Sequence, residues 1–256
     1  MEIFGDYHLH TVASDGFNTI TEQARAAIKA GLKEIAITDH SFRTLFTSMS
    51  HHKFSNQTEE ISMLHTVDDY DIKIYHGVEG NLINKNGDMD IPADVMPNID
   101  LLSMGFHRWL EPPVWNNNLK YIITNGFGSY HSREKLRNIN TWAYLSAIER
   151  YPIDVLVHLQ SRTLVDAVAV CEAAAKKDIY IELNEKHIDE IAPDIDNIMA
   201  TNVYFILGSD AHKSSKVAKF DKVSAFIEAH NIPLDRIAGI GFQPTFKNKT
   251  GYTEKK

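Results

Sequence analysis

The amino-acid sequence predicts an α/β fold, a (β/α) barrel that is either complete or distorted. Seven or eight short apolar runs alternate with helical patterns along the chain, and such alternation is typical of parallel sheets with crossover helices. Several runs are apolar nearly throughout, as expected of parallel strands buried on both faces. A length of 256 residues, 43% of them hydrophobic, suits one barrel. We therefore predict a single domain over residues 1–256.

The elements follow from these patterns. The predicted strands are Ile3–His8, Glu34–Thr38, Ile72–Glu79, Leu101–Phe106, Ile153–His158, Ile179–Asn184, Val203–Ser209 and, with a weaker pattern, Ile237–Ile240. The predicted helices are Thr21–Ala30, Leu164–Lys177, Asp194–Ala200 and Lys216–His230.

Two of these helices have a recognisable start. Thr19 and Glu22 form a capping-box pattern, in which each side chain binds a free backbone N–H group. Thr163 and Asp166 predict a similar start for the second helix. Residues 111–140 fit no strand or helix pattern, because they are rich in Pro, Gly and Asn. We predict that they form an insertion on a loop, and long loops of this kind are often functional.

Composition excludes several classes of protein. The one cysteine, Cys171, rules out an internal disulfide and a cysteine-based zinc finger or iron–sulfur cluster. The formal net charge of −8 argues against nucleic acid as the main substrate. The N-terminus lacks a signal-peptide pattern and no apolar run approaches about 18 residues. We therefore predict no membrane span and a cytoplasmic location. The polar tail, Phe246–Lys256, is predicted to fray.

Histidine and carboxylate side chains collect at the C-terminal ends of the predicted strands. Among them are several of the 13 histidines of the chain. They are His8, His10, Asp39, His40, Glu79, His107, His158, Asp210 and His212. In a barrel these ends face the same mouth, where barrel enzymes have their active sites. Imidazole and carboxylate ligands without thiolate favour Zn, Mn, Fe or Co over Ca or Mg. The sequence therefore predicts a metal site at the mouth.

In this order, these residues resemble the PHP family, named after polymerase and histidinol phosphatase. The matching motifs are His8-Leu-His10-Thr-Val-Ala-Ser14-Asp15-Gly16, Ile37-Thr-Asp39-His40, Gly77-Val-Glu79, Gly105-Phe-His107, His158 and Gly208-Ser-Asp210-Ala-His212. The resemblance covers residues 3–242 and is to the compact bacterial, YcdX-like phosphatase branch. It implies a distorted (β/α)7 TIM-like barrel, the PHP fold, with a centre of three divalent metal ions (Zn, Mn or Fe).

The resemblance also implies which residues hold the ions. His8, His10, Glu79 and Asp210 would hold the first ion, Glu79, His107 and His158 the second, and Asp15, His40 and His212 the third. Two positions depart from the family pattern. Gly16 stands where YcdX-like members have a histidine, which makes Asp15 the predicted ligand. Leu159 follows His158 where proline is usual, and this leaves His131 in the predicted insertion as an alternative.

Such a centre is suited to a small phosphate monoester. Three divalent ions and three carboxylates have a net charge of about +3, which attracts an anion and a hydroxide. We expect a metal-bridging hydroxide to attack phosphorus directly. Arg162, followed by Arg108, is the preferred phosphate-binding arginine, and Asp39 is a candidate for orienting His40 or His10. The predicted catalytic residues are Glu79, Asp210, His212 and Arg162.

Other functions remain open from the sequence. A metal-dependent amidohydrolase also begins with His-x-His in a barrel, but that class usually ends on a lone aspartate, whereas this chain has Asp210-Ala-His212. A histidinol phosphatase, a nucleotide phosphoesterase, a nuclease and a barrel without metals are further alternatives. The sequence leaves open the substrate and the oligomeric state, including a homo-oligomer.

Overall fold

Eight parallel strands, hydrogen-bonded in chain order, form a nearly closed barrel. The computed structural model describes residues 2–67, 70–247 and 249–250. All eight predicted strands are present in it, with ends shifted by a few residues. The strands are β1 (Gly5–Leu9), β2 (Glu34–Ile37), β3 (Lys73–Asn81), β4 (Leu101–Gly105), β5 (Val155–Leu156), β6 (Tyr180–Asn184), β7 (Phe205–Gly208) and β8 (Ile237–Ala238).

The barrel closes differently at its two ends. At the mouth, where the strands have their C-terminal ends, β1 meets β7 directly: the backbone N–H of His10 donates to the carbonyl of Ala211 at 3.0 Å. At the opposite end, which we call the base, β8 pairs with the start of β7. The N–H of Phe4 donates to Gly239 at 2.9 Å there. Seven strands therefore surround the mouth, and the eighth fills a gap at the base.

Helices connect the strands. They are α1 (Ile20–Lys29), α2 (His51–Leu64), α3 (Pro112–Phe127), α4 (Tyr130–Glu134), α5 (Arg137–Arg150), α6 (Ala167–Lys176), α7 (Ile188–Ile191), α8 (Ile195–Met199) and α9 (Asp221–Ala229). Residues 111–140, predicted as an insertion on a loop, consist largely of α3, α4 and the start of α5. None of the helices in the described part of the chain has both the length and the apolar character of a transmembrane segment.

The helix starts confirm one prediction and correct another. The capping box of Thr19 and Glu22 is present at α1. The residue before α6 is Asp166, whose side chain accepts the N–H of Ala169 at 3.1 Å. The prediction that Thr163 begins this helix is wrong, because its hydroxyl lies 2.9 Å from the hydroxyl of Tyr144 instead.

Helix α2 has no counterpart among the predicted helices. Its buried residues, Phe54, Gln57, Ile61 and Leu64, follow helical spacing. One of the four is polar, so the apolar pattern in the sequence is weak. Gln57 is buried because its amide donates to the Asp39 carboxylate at 2.6 Å. This helix therefore supports the mouth of the barrel as well as its apolar layer.

Towards the mouth, the strands separate an outer apolar layer from a polar interior, whereas alternate residues nearer the base, such as Tyr180 and Ile206, form a further apolar cluster. In β6, Ile181 and Leu183 belong to the largest apolar cluster, together with helix residues such as Val170. The alternate residue Glu182 is also buried, and its carboxylate lies 2.7 Å from Nδ1 of His8 on β1. Alternation along a strand explains how one short run serves both layers.

The C-terminal tail is anchored at the base as far as the structure describes it, so the prediction of fraying is wrong for Phe246, Lys247 and Lys249. Phe246 packs edge-on against Tyr75, with ring centroids 4.8 Å apart. Nζ of Lys249 lies 2.6 Å from the Asp154 carboxylate, and both side chains are buried. Residues 251–256 lie outside the described part of the chain.

We predict that His76 makes the fold sensitive to mild acid. Burial against Phe54, at a centroid distance of 4.4 Å, lowers the pKa of His76 to about 4. The unfolded chain binds this proton more readily, so the stabilisation is complete above the unfolded pKa and is lost as the pH falls from about 6.5 towards 4. Between pH 7 and 4.5, we expect the unfolding free energy of the wild type to decrease by about 2 kcal/mol more than that of His76→Gln.

Urea unfolding at both pH values measures this effect. The exposed His52→Gln on α2 is the matched control for the loss of a histidine. An equal decrease in wild type and His76→Gln would contradict the prediction.

Candidate metal centre

The nine predicted ligands converge at the mouth of the barrel. Eight of them line one cavity of about 360 Å³: His10, Asp15, His40, Glu79, His107, His158, Asp210 and His212. The ninth, His8, lies just behind the cavity and is buried. The residues come from the ends of different strands or from the loops that follow, so only closure of the barrel brings them together.

Glu79, on β3, is at the centre of the cluster. Its side chain is 1% exposed, and ring nitrogens of five histidines lie within 3.5 Å of its carboxylate. The distances are 2.8 Å from His158, 3.0 Å from His40, 3.3 Å from His107, and 3.5 Å from both His8 and His10. Burial alone would raise the pKa of Glu79, but the neighbouring histidines hold that pKa well below its ordinary value.

Potential ligand atoms form three overlapping groups in the described residues. They are His8 with His10 and Asp210; His40 with Glu79 and His107; and His10 with Asp15, His40 and His212. Within each group the ligand atoms lie within 4.8 Å of one another. Compared with the sets that the sequence predicts, His10 and His40 are each shared between two groups. The predicted sets share Glu79 and the groups in the structure share His10 and His40, so both describe one cluster with common residues.

The donor atoms fit divalent metal ions. Nδ1 of His40 and Oε2 of Glu79 are buried and make no hydrogen bond, although they face each other at 3.0 Å. Unpaired buried polar atoms are costly, and a metal ion would satisfy both. Burial would lower the pKa of His40, but the carboxylates of Glu79 and Asp15 outweigh burial and raise it to about 10. An incoming ion must therefore displace protons.

Asp15 contacts two predicted ligands, whereas the backbone around residue 16 leaves no room for a side chain. One carboxylate oxygen of Asp15 lies 3.2 Å from Nε2 of His212, and the other lies 3.3 Å from Nε2 of His40. A Cβ atom at Gly16 would come within 2.5 Å of the backbone oxygen of His10. The departure from the family pattern at residue 16 therefore has a steric reason.

His158 is close to the cluster, whereas His131 is not. Nε2 of His158 lies 2.8 Å from Glu79, and the residue has a backbone φ of 35°. His131 is exposed on α4 and does not line the cavity. The geometry favours His158 over its alternative even without the following proline.

Two residues that the sequence analysis missed orient predicted ligands. Glu182 accepts from Nδ1 of His8 at 2.7 Å and from the backbone N–H of His158 at 2.8 Å. Asn81 accepts from Nδ1 of His107 at 2.5 Å. In His8 and His107, these contacts select the tautomer that carries its proton on Nδ1, so that Nε2 can bind a metal ion. A charged residue within the apolar run of β6 was the available signal for Glu182.

Asp39 has a different role from the one considered for it. Its carboxylate accepts from the backbone N–H of Thr11 at 2.7 Å, and it also binds the hydroxyl of Ser14. It therefore fixes the loop that carries Asp15, rather than orienting His40 or His10.

Cationic side chains lie around the cavity. Arg108 and Arg162, both predicted to bind phosphate, line it. Lys186 was not predicted. Its Nζ lies 2.8 Å from both Oδ1 of Asp210 and Nδ1 of His212. The cavity lining thus combines carboxylates with cationic side chains.

The chain is similar to known proteins of one family. The family model described as "PHP domain" matches residues 6–205. A protein of Vibrio vulnificus, described as a probable phosphatase, is 30% identical over 248 residues, which cover 93% of this chain and 89% of the relative. "Probable phosphatase YcdX" of Escherichia fergusonii is 28% identical over 246 residues, which cover 92% of this chain and 89% of the relative.

A solved structure has a similar fold. It is a histidinol phosphate phosphatase from Lactococcus lactis, described as complexed with zinc, L-histidinol and phosphate. The TM-score is 0.59 and the identity 18%, with 90% of this chain and 92% of that chain covered.

We predict that His158→Ala reduces metal binding far more than His131→Ala does. His158 contacts the central carboxylate, whereas His131 is remote from the cavity. Loss of an outer contact to a ligand typically costs about 10–100-fold in metal affinity, so loss of a ligand should cost roughly a hundredfold or more. Chelator competition measures the affinity. The reverse order of effects would contradict this assignment.

We predict that Glu182→Gln weakens metal binding by about 10–100-fold while the fold is retained. His8 and the backbone of His158 donate to different oxygens of Glu182, and glutamine would replace one of these oxygens with an NH₂ group that cannot accept. The control is Glu149→Gln, which removes an exposed carboxylate paired with Lys177. Chelator competition and circular dichroism together test this. Wild-type metal affinity in Glu182→Gln would show that the contact does not position the ligands.

Proposed function

This chain belongs to the PHP domain family, and we propose that it hydrolyses a small phosphate monoester with three divalent metal ions. The proposal rests on one observation. Eight His, Asp and Glu side chains line a single cavity that Arg108, Arg162 and Lys186 also line. Such a cavity suits a substrate with concentrated negative charge. The relatives described as phosphatases match over most of the chain and support hydrolysis of a phosphate ester.

The nine predicted ligands would hold the ions in overlapping groups. Glu79 would bridge two ions, because its carboxylate lies between imidazoles from several strands. Asp210 and His212 would contribute to different ions from one short segment after β7. When bound, the ions would supply positive charge and lower the pKa of a water molecule for attack on phosphorus.

The cationic side chains would bind and orient the phosphate group. Arg162 is partly buried in the cavity wall, and its planar guanidinium can donate two parallel hydrogen bonds to phosphate oxygens. Lys186 is held beside Asp210 by the 2.8 Å contact. Hydrolysis forms a bond from a water oxygen to phosphorus and breaks the ester P–O bond. The charge that develops on the phosphate oxygens would then be stabilised by these cations.

Zinc, manganese and iron are the proposed ions. The Lactococcus lactis structure is described with zinc, and the donor set here is imidazole and carboxylate. Asp15 is a harder ligand than the histidine it replaces, which favours manganese or iron over zinc. The cytoplasmic location, the single-domain organisation and the role of residues 111–140 stay predictions.

Removal and return of metal tests the proposed function. The chelated protein should not hydrolyse p-nitrophenyl phosphate. Reconstitution should restore activity, most strongly with manganese or iron, and elemental analysis should find about three ions per chain. Glu79→Gln should abolish turnover with an unchanged circular dichroism spectrum, because it removes the central charge without altering side-chain volume. Hydrolysis of an amide panel in place of phosphate esters, or full activity without metal, would contradict the proposal.

A further inference from the structure

We propose that the cavity selects phosphate esters whose alcohol carries a flat ring, and that Phe46 and Trp109 recognise this ring. The inference rests on the proposed phosphatase function and adds the class of the leaving alcohol. We call these two residues, together with Leu45, the aromatic wall. All three line the cavity that contains the candidate ligands.

Phe46 is held in an unfavourable position for no structural gain. Its side chain is 88% exposed, so it contributes little to the apolar core. Its backbone φ is 72°, in the left-handed region that bulky residues rarely adopt. Strain of this kind persists where the surrounding structure imposes it, often at ligand sites. An exposed, strained aromatic residue at the edge of a cavity therefore indicates ligand contact.

The loop that carries Phe46 is joined to the loop that carries Trp109. The N–H of Leu45 donates to the carbonyl of Trp109 at 2.8 Å, and the N–H of Glu111 donates to the carbonyl of Arg43 at 2.9 Å. These bonds form a short antiparallel link between the segments that follow β2 and β4. The aromatic wall is therefore built by two connected loops, which place both rings on the same side of the cavity.

The ring of Trp109 is supported from behind. It packs edge-on against Phe127 of α3 at 5.3 Å, and the guanidinium of Arg108 lies 5.4 Å from its centroid. Trp109 nevertheless stays 45% exposed. A supported ring with a free surface is a suitable platform for stacking, because little side-chain freedom is lost on binding.

Another part of the cavity lining has different chemistry. Ser161, Arg162, Lys186 and His187 line it. A phosphate ester with a ring would place its anionic group near these residues and the candidate ligands, and its ring against the aromatic wall. The volume of about 360 Å³ is sufficient for a small ligand. Stacking of one base on an aromatic side chain changes binding roughly fivefold to a hundredfold.

Two matched pairs of substrates test the inference. Benzyl phosphate and cyclohexylmethyl phosphate differ in the flatness of the ring, while adenosine 5′-monophosphate and ribose 5-phosphate differ in the presence of the base. With the metal-loaded protein, we expect kcat/KM to be at least roughly fivefold higher for the flat-ring member of one or both pairs. A preference in the first pair identifies an aryl group as the ring, and a preference in the second identifies a nucleoside base.

Substitutions assign the preference to the aromatic wall. Phe46→Leu and Trp109→Leu keep apolar volume but remove the flat face, so each should reduce kcat/KM for the flat-ring substrate more than for its partner. Trp142→Leu is the control, because Trp142 is 66% exposed and does not line the cavity. Phe46→Gly should lose the preference without lowering the thermal unfolding temperature, since glycine tolerates the backbone conformation.

The outcomes separate this inference from the function on which it rests. Equal kcat/KM within both pairs would overturn the inference and leave phosphatase activity intact, as would a preference that survives the double substitution. Absence of hydrolysis of all four esters and of p-nitrophenyl phosphate would overturn the proposed function, and the inference with it. Calorimetric binding of adenosine or benzyl alcohol to the chelated protein, weakened by Phe46→Leu but not by Trp142→Leu, would support the aromatic wall independently of turnover.

Discussion

The arrangement of the mouth depends on the burial of one carboxylate among imidazoles. Glu79 is almost completely buried, and an uncompensated buried charge costs several kcal/mol. The ring nitrogens of five histidines around it meet that requirement only in part, because Oε2 of Glu79 and Nδ1 of His40 still lack hydrogen bonds. Charge compensation at this point requires side chains from several strands to meet, and divalent ions would complete it. The barrel is the scaffold that makes this meeting possible.

The way in which the barrel closes serves the same purpose. Direct contact between β1 and β7 at the mouth brings His8 and His10 beside Asp210. At the base, β8 and the tail fill the wider gap, with Phe246 packed among tyrosines. Both features, the direct contact at the mouth and the filled gap at the base, follow because only seven strands surround the mouth.

Outer polar contacts hold the inner side chains in place. Glu182 links His8 to the backbone at His158, and Asn81 holds the ring of His107. Asp39 and Gln57 fix the loop before Asp15. Each of these groups is buried, and each has hydrogen bonds that offset its burial. The same chain that builds an apolar layer outside the strands therefore builds a polar layer within.

The sequence by itself determined the eight strands and their common mouth, because strand ends of a parallel barrel all lie on one side, but it missed helices such as α2. Through a family resemblance it implied the nine residues that meet at the mouth. It also indicated the family, through motifs such as Asp210-Ala-His212. Tertiary structure alone decided which of these side chains lie close together, since the distances around Glu79 depend on how the strands pack around it. It also decided the surroundings of Glu182, Lys186 and Phe46. Glu182 and Lys186 contact residues that are distant in sequence, and Phe46 lines the cavity. Local patterns record which face of an element is polar, but they contain no information on what lies opposite that face.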